Sequence, residues 1–298
     1  MNSQMLGSTI AAIRKEKGMS QKQLAEGICT QGAISQIEKG DMIPKIDTLY
    51  YLALRLDSPL TLFIDVFIEP DFEARDQVVS QIEAAARERK HEEIYELIEK
   101  LRAESEIEDA SLDCYLSWFH TVACYYTDRI DTREAIHRLR FLLEEGDDTE
   151  IRRHHLHLRI MNTLAYLHAF EGRPLQTIYY QDRILNTRVR TKSAANELNY
   201  DAFLIRVMYN KAKTLYDMGE IDQAQQVINR AINRSIEQEN MSMLGQLYYY
   251  RGQCLERTAP GETADIEEAY QRALLFFEIL NKRQYTKLVW EQKAQYLV

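Results

Sequence analysis

Residues 20–40 read Ser20-Gln-Lys-Gln-Leu-Ala-Glu-Gly-Ile-Cys-Thr-Gln-Gly-Ala-Ile-Ser-Gln-Ile-Glu-Lys-Gly40, a pattern of two short amphipathic helices with a break between them. Ser20 followed three residues later by Gln23 is a capping box, so a helix starts there. Leu24, Ala25 and Ile28 supply its inward face. A break at Cys29-Thr30 precedes the second helix, in which Ile34 and Ile37 turn inward and Gly40 closes the end. Gln31, Gly32, Ala33, Ser35, Gln36 and Lys39 are left for the outer face. A short helix with a small, polar, nearly uncharged outer face fits the major groove of DNA. Outward from this centre, Leu6 to Leu56 reads as four short helices around a helix-turn-helix. Leu62, Phe63, Val66 and Phe67 then make a last short helix before Pro70.

The charge distribution supports a DNA reader. The net charge of −9 is uneven: residues 1–60 carry seven Lys/Arg and six Asp/Glu, a balance of +1 that leaves −10 for the remainder. A near-neutral reader binds phosphates weakly as a monomer, and dimerisation doubles its contacts.

Five prolines and eleven glycines in 298 residues argue for long helices and short connections, hence an all-α protein. From Asp71 the helical pattern falls into pairs: 72–89 with 91–104, 112–127 with 131–145, 150–171 with 174–190, 196–218 with 220–239, and 241–257 with 263–282. A final helix covers 284–297. The small residues Ala212, Ala224 and Ala231, with Gly219 in the turn, stand at tetratricopeptide spacing. Ala165, Gly172 and Pro174 echo them one repeat earlier; Gly252, Ala269 and Ala273 do so one repeat later. The first two pairs match poorly. The expected architecture is a helix-turn-helix domain over 1–68, a linker helix or first solenoid helix over 69–90 and a tetratricopeptide-like α-solenoid over 91–298, which binds peptide and dimerises. In such arrays the first helix of each pair lines a surface suited to an extended peptide. Asn162 and Asn210 lie on first helices, and their amides can read a peptide main chain. Gln246, Tyr249 and Tyr285 extend the lining. Of the eighteen tyrosines, about two-thirds are expected to pack between helices.

Other functions find little support. His154, His157 and His168 lack a partnering acidic pair, and Arg152 and Arg153 would repel a cation, so a metal site is not expected. No phosphate-cradling glycine loop, nucleophile elbow or Cys/His pair is present, so neither enzyme nor cofactor is expected. The four cysteines are scattered, the N-terminus lacks a secretory pattern and no apolar run spans a membrane. A cytoplasmic protein with reduced thiols follows.

The N-terminal segment resembles the Xre/Cro-type helix-turn-helix, including Ile-Ser-Gln-Ile-Glu-Lys-Gly40, Pro44 and Leu49. Joined to a degenerate tetratricopeptide array, it resembles the peptide-sensing regulators of Gram-positive bacteria, the Rgg/Rap/NprR/PlcR/PrgX group. The PlcR branch is the nearest likeness, carried by Gln21-Lys-Gln-Leu, Tyr209-Asn-Lys-Ala-Lys, Met243-Leu-Gly-Gln-Leu-Tyr-Tyr and Phe276-Phe-Glu-Ile-Leu. The resemblance implies a homodimer on a pseudo-palindromic operator, controlled by a short imported signalling peptide. It places Asn162, Asn210, Gln246 and Tyr285 at the peptide. Arg87 and Arg89 fall where relatives carry lysines, and guanidinium groups there could hold a carboxylate. Gly32 and Ala33 replace polar residues of PlcR-like readers, and Gln36 stands where Arg is common, which favours an adenine contact. Thr30, Gln31 and Ser35 complete the reader, while Gln21 and Lys39 reach phosphates. A Rap-like protein-binding scaffold and a peptide-independent Xre-type repressor are the alternative readings.

Overall fold

The computed structural model describes residues 3–68, 72–104, 107, 110–144, 156–187, 194–261 and 263–297. The side chains of 65–76, 111 and 194–199 lie outside that description, as do those of every residue not in these ranges. The chain divides into two compact units, Met1–Lys90 and His91–Val298.

The first unit contains α1 (Ser3–Glu16), α2 (Gln21–Ala25), α3 (Gln31–Lys39), α4 (Ile46–Arg55), α5 (Leu60–Ile68) and α6 (Phe72–Arg87). The capping box at Ser20 and Gln23 forms as expected, the Ser20 hydroxyl accepting from the Gln23 amide and the Gln23 side chain from the Ser20 amide. Helix α2 is shorter than its pattern implied, ending at Ala25, with Gly27 at φ +71°. Ile28 consequently lies beyond the helix, half-buried against the core. Thr30 caps α3 by accepting from the Ala33 amide at 3.1 Å, and Gly40 closes it in the left-handed conformation. Leu6, Ile10, Leu24, Ile34, Ile37, Leu52, Leu56 and Phe63 form the core. Each such side chain contributes roughly 1.5–3 kcal/mol through burial. The last short helix forms as expected; Phe63 is its fully buried residue, while Leu62 is 39% exposed. Val66, Phe67 and Pro70 lie outside the described side chains.

The second unit contains α7 (His91–Glu104), α8 (Ala110–Tyr126), α9 (Thr132–Glu144), α10 (Leu156–Phe170), α11 (Pro174–Asn186), α12 (Ala194–Asp217), α13 (Ile221–Glu237), α14 (Leu244–Thr258), α15 (Thr263–Ile279) and α16 (Arg283–Lys293). Each helix packs on its neighbours in the chain, the nearest-neighbour pattern of a solenoid. The expected pairing of 72–89 with 91–104 falls across the division between units; α7 packs on α8. Residues 150–155 and 188–190, assigned to helices from the sequence, lie outside the described residues. The last helix stops at Lys293 and tightens into a 3-10 turn at Ala294–Tyr296.

Close helix packing explains the small residues. Ala165, Ala212, Ala224, Ala231, Ala269 and Ala273 are all buried. A Cβ on Gly252 would stand 2.7 Å from the Tyr270 ring, so only hydrogen fits there. The turns repeat too. Gly172 and Gly219 adopt positive φ, and the amide of the residue after each closes a wide hydrogen bond, Arg173 to the His168 carbonyl and Glu220 to the Leu215 carbonyl, both at 2.9 Å. Asp128 takes the same conformation, with Arg129 donating to the Cys124 carbonyl at 2.9 Å. Aspartate tolerates this region at a cost near 1 kcal/mol. The early pairs therefore keep the turn geometry but lose the glycine that marks it.

Six of the eighteen tyrosines are exposed, namely Tyr50, Tyr51, Tyr126, Tyr166, Tyr179 and Tyr285, and the others are buried or half-buried. Most pack between helices as expected. Among the described residues no helix is long and apolar enough to cross a membrane.

Candidate DNA interface and ligand cavity

Helix α3 presents Gln31, Gly32, Gln36 and Lys39 as exposed residues, with Ala33 and Ser35 half-exposed between them. Thr30 is exposed at the helix start, and its hydroxyl retains a hydrogen to donate while its oxygen serves the cap. A Cβ on Gly32 would meet nothing nearer than the Thr30 hydroxyl at 3.9 Å. The face is flat and backbone-accessible at that point.

Beneath this face, Arg14 of α1 donates to both carboxylate oxygens of Glu38 at 2.5 and 2.9 Å and to the Met19 carbonyl at 2.7 Å. Gln21 donates its amide to the same carboxylate at 2.8 Å. Burial pushes the Glu38 carboxyl up, but the hydrogen bonds from Arg14 and Gln21, with the charges of Arg14 and Lys15, hold it below its ordinary value. This network fixes α3 relative to α1 and the start of α2. Gln21 thus supports the reader from within, keeping its second amide hydrogen and its carbonyl oxygen for an outside contact. Arg55 of α4 donates to the carbonyls of Gln23, Leu24 and Glu26, satisfying the orphan carbonyls that end the very short α2. In the sequence it is marked only as a basic residue near a helix end.

In the second unit, a cavity of about 750 Å³ is lined from α12 by Arg206, Tyr209 and Asn210, and from the turn before α14 by Ser242 and Met243. Gln246 of α14 joins them, with Asn281, Lys282 and the α16 residues Arg283, Gln284 and Tyr285. Its size is that of a specific ligand site. The walls come from α12, α14 and α16 and their approaches, as the repeat pattern requires of first helices. Three expected residues meet here: Asn210, Gln246 and Tyr285.

The other expected residues lie elsewhere. Asn162, on α10, is half-buried and does not line this cavity. Tyr249 is 9% exposed, packs on Tyr250 and Tyr270, and donates its hydroxyl to the Gln292 side chain at 2.7 Å. It is a core residue: three residues beyond Gln246 on the same helix, its ring is turned into the packing with Tyr270 rather than to the cavity wall. Arg87 and Arg89 are exposed in the first unit, Arg89 at φ +58°. Among residues the sequence did not single out, Arg206 and Tyr209 sit on the Asn210 helix. Arg206 is four residues before Asn210, on one face with it. Lys282 donates to the Ser242 carbonyl at 2.7 Å and to the Gln246 side chain at 3.4 Å, bridging two walls.

No group of histidine, cysteine and acidic side chains among the described residues could hold a metal ion. His154 and His155 lie outside them. The four cysteines are free, three of them buried, and burial raises the Cys114 and Cys254 thiols to about 11.

A groove-reading helix in one unit and a ligand cavity within helical repeats in the other define a ligand-controlled DNA-binding protein. The chain belongs to the RNPP family: the model of the RNPP family C-terminal domain matches residues 79–298, and a helix-turn-helix model matches residues 10–63. It is similar to Bacillus thuringiensis PlcR in complex with the peptide PapR7 and DNA, at 32% identity over 96% of this chain and 99% of that one, with a TM-score of 0.73. The apo form of the same protein matches at 28% identity over 97% and 98%, with a TM-score of 0.63. ComR of S. thermophilus, with DNA and its signalling peptide ComS, shares the fold at 16% identity over 98% and 100%, with a TM-score of 0.58. Among the curated proteins compared with the chain, none matches.

Proposed function

We propose that this chain is a cytoplasmic quorum-sensing transcriptional regulator, which binds a pseudo-palindromic operator as a homodimer under control of a short imported signalling peptide. The observation that carries the reading is the meeting of Asn210, Gln246 and Tyr285 in one cavity on the first helices of successive repeats. Side-chain amides at that place can both donate to and accept from a peptide backbone. The likeness to a DNA- and peptide-bound relative spans both units and supports it.

In this reading residues 1–68 read DNA, 69–90 link, and 91–298 bind peptide and dimerise. Gln31, Gly32, Ala33, Ser35 and Gln36 approach base edges. Thr30, Gln21 and Lys39 approach phosphates, where a helix N-terminus and a cation are both favourable. Arg87, Arg89 and Asn162 extend the peptide contacts beyond the cavity. A peptide that binds one setting of the two readers better than another shifts operator affinity by that difference.

The test combines operator retention and calorimetry on the full chain. The expected result is specific retention of a two-half-site DNA by a dimer. A peptide encoded beside the gene should change that retention, and Asn210→Ala should weaken the peptide while leaving the dimer intact. A chain that retains no specific DNA at moderate salt, or binds it identically with and without every candidate peptide, overturns the reading.

A further inference from the structure

The cavity between α12, α14 and α16 carries an unbalanced charge. Arg206, Lys282 and Arg283 line it, and no aspartate or glutamate does. Elsewhere in this unit cations at helix surfaces meet carboxylates: Lys211, near Arg206 on α12, pairs with Asp182, and Arg234 pairs with Asp201. Arg206 is exposed and has no hydrogen-bond or ion-pair partner among the described residues. Lys282 meets two neutral oxygens, those of the Ser242 carbonyl and the Gln246 side chain. Arg283 reaches only the Asn281 amide oxygen, at 3.3 Å. Burial, and secondarily the charge of Arg206, lower the Lys282 pKa: the ammonium stands beside a like charge, with no carboxylate among the cavity's lining residues. A bound anion offsets the repulsion between these cations and accepts charge-assisted hydrogen bonds from them.

We propose that the occupant of this cavity presents a carboxylate to Arg206, Lys282 and Arg283, so that the protein selects peptides carrying a free C-terminus or an acidic side chain at that point. The inference rests on the peptide reading above and adds the chemical class of its ligand. Tyr209, Met243 and Tyr285 supply apolar contact beside the cations, and Asn210 and Gln246 supply neutral amides for main chain. The division of labour is that of a site built for one charged group on an otherwise neutral segment.

The experiment uses the full chain and four pools of short synthetic peptides: free acids with and without Asp/Glu, and C-terminal amides with and without Asp/Glu. Retained peptides are identified by mass spectrometry after gel filtration, then titrated by calorimetry. The expected result is that the amide pool lacking Asp/Glu gives no retained peptide. Retention by the free-acid pool lacking Asp/Glu assigns the C-terminal carboxylate. Retention confined to pools containing Asp/Glu assigns the side chain. Arg206→Gln, at an exposed position that does not hold the fold, should weaken the retained peptide about ten-fold, the loss of one charge-assisted hydrogen bond. High salt should weaken it in parallel. Equal affinity for uncharged amides, with loss on Asn210→Ala but none on Arg206→Gln or Arg283→Gln, overturns the carboxylate while the peptide reading stands. Retention of nothing from any pool overturns both.

Discussion

Arg14 and Glu38 form a two-pronged ion pair inside the DNA-binding unit, 2.5 and 2.9 Å long, with side chains only 10% and 8% exposed. The pair joins the first helix to the C-terminal turn of the groove-reading helix, 24 residues away. Removing one member leaves a buried charge uncompensated, which typically costs about 3–5 kcal/mol. Glu38→Gln should therefore destabilise the unit by about 3 kcal/mol at neutral pH and abolish operator binding near its melting range. Denaturant melts of the full chain check it, read as the low-stability transition. The pH dependence has a definite sign. Because Glu38 is held below its ordinary value, its contribution is present above the ordinary glutamate pKa of about 4.3 and fades as pH falls through the lowered one. The gap between wild type and variant should thus narrow in acid; a gap constant from neutral pH into acid refutes the linkage.

Two glycines of the same unit should respond oppositely to a methyl group. A Cβ on Gly7 would stand 2.2 Å from the Ile37 carbonyl oxygen and 2.8 Å from that of Glu38, and backbone cannot step aside cheaply. Gly7→Ala is expected to cost at least about 1–3 kcal/mol. Gly32 lies in open space on the outer face of α3, and Gly32→Ala should hold or raise stability by up to about 1 kcal/mol through helix propensity. Any loss it causes should appear only in operator affinity. Thermal melts beside mobility shifts separate the two; equal melting losses would refute the packing argument.

Gln36 is exposed at the centre of the groove-reading face. An amide there matches the N6/N7 edge of adenine, whereas a guanidinium matches O6/N7 of guanine. Gln36→Arg should move base preference at one position per half-site from adenine toward guanine, by about 1–3 kcal/mol. Selection from a randomised operator measures it, and an unchanged preference at every position refutes the contact.

Tyr249 provides a control for the cavity. Tyr249→Phe removes the hydroxyl that donates to Gln292 and should cost about 1 kcal/mol of stability. Peptide affinity should stay as it was, since the ring lies in the core rather than at the cavity wall. A matching loss of peptide affinity would put Tyr249 back at the ligand.

The division of these residues was only partly visible in the chain. Ser20, Gln23, Thr30 and Gly40 announce α2 and α3 because caps and left-handed closures are local chemistry, settled within four residues. Ala212, Gly219, Ala224 and Ala231 announce the repeat because close helix approach demands small side chains at fixed spacing. Asn210, Gln246 and Tyr285 could be grouped beforehand through the resemblance, which carries tertiary information that periodicity lacks. Asp128 hid an early turn, since glycine was the signal and the geometry itself needs only a tolerated positive φ.

By itself, then, the sequence determined an all-α chain, the helix-turn-helix and the repeat order, all consequences of interactions between residues close in number. Only the tertiary structure decided that Glu38 holds Arg14 and Gln21, that Arg55 closes α2, and that Tyr249 belongs to the core while Arg206, Lys282 and Arg283 face the cavity. Those outcomes depend on which face of one helix meets another dozens of residues away. A helical wheel gives a side chain its direction; its partner is fixed only by packing.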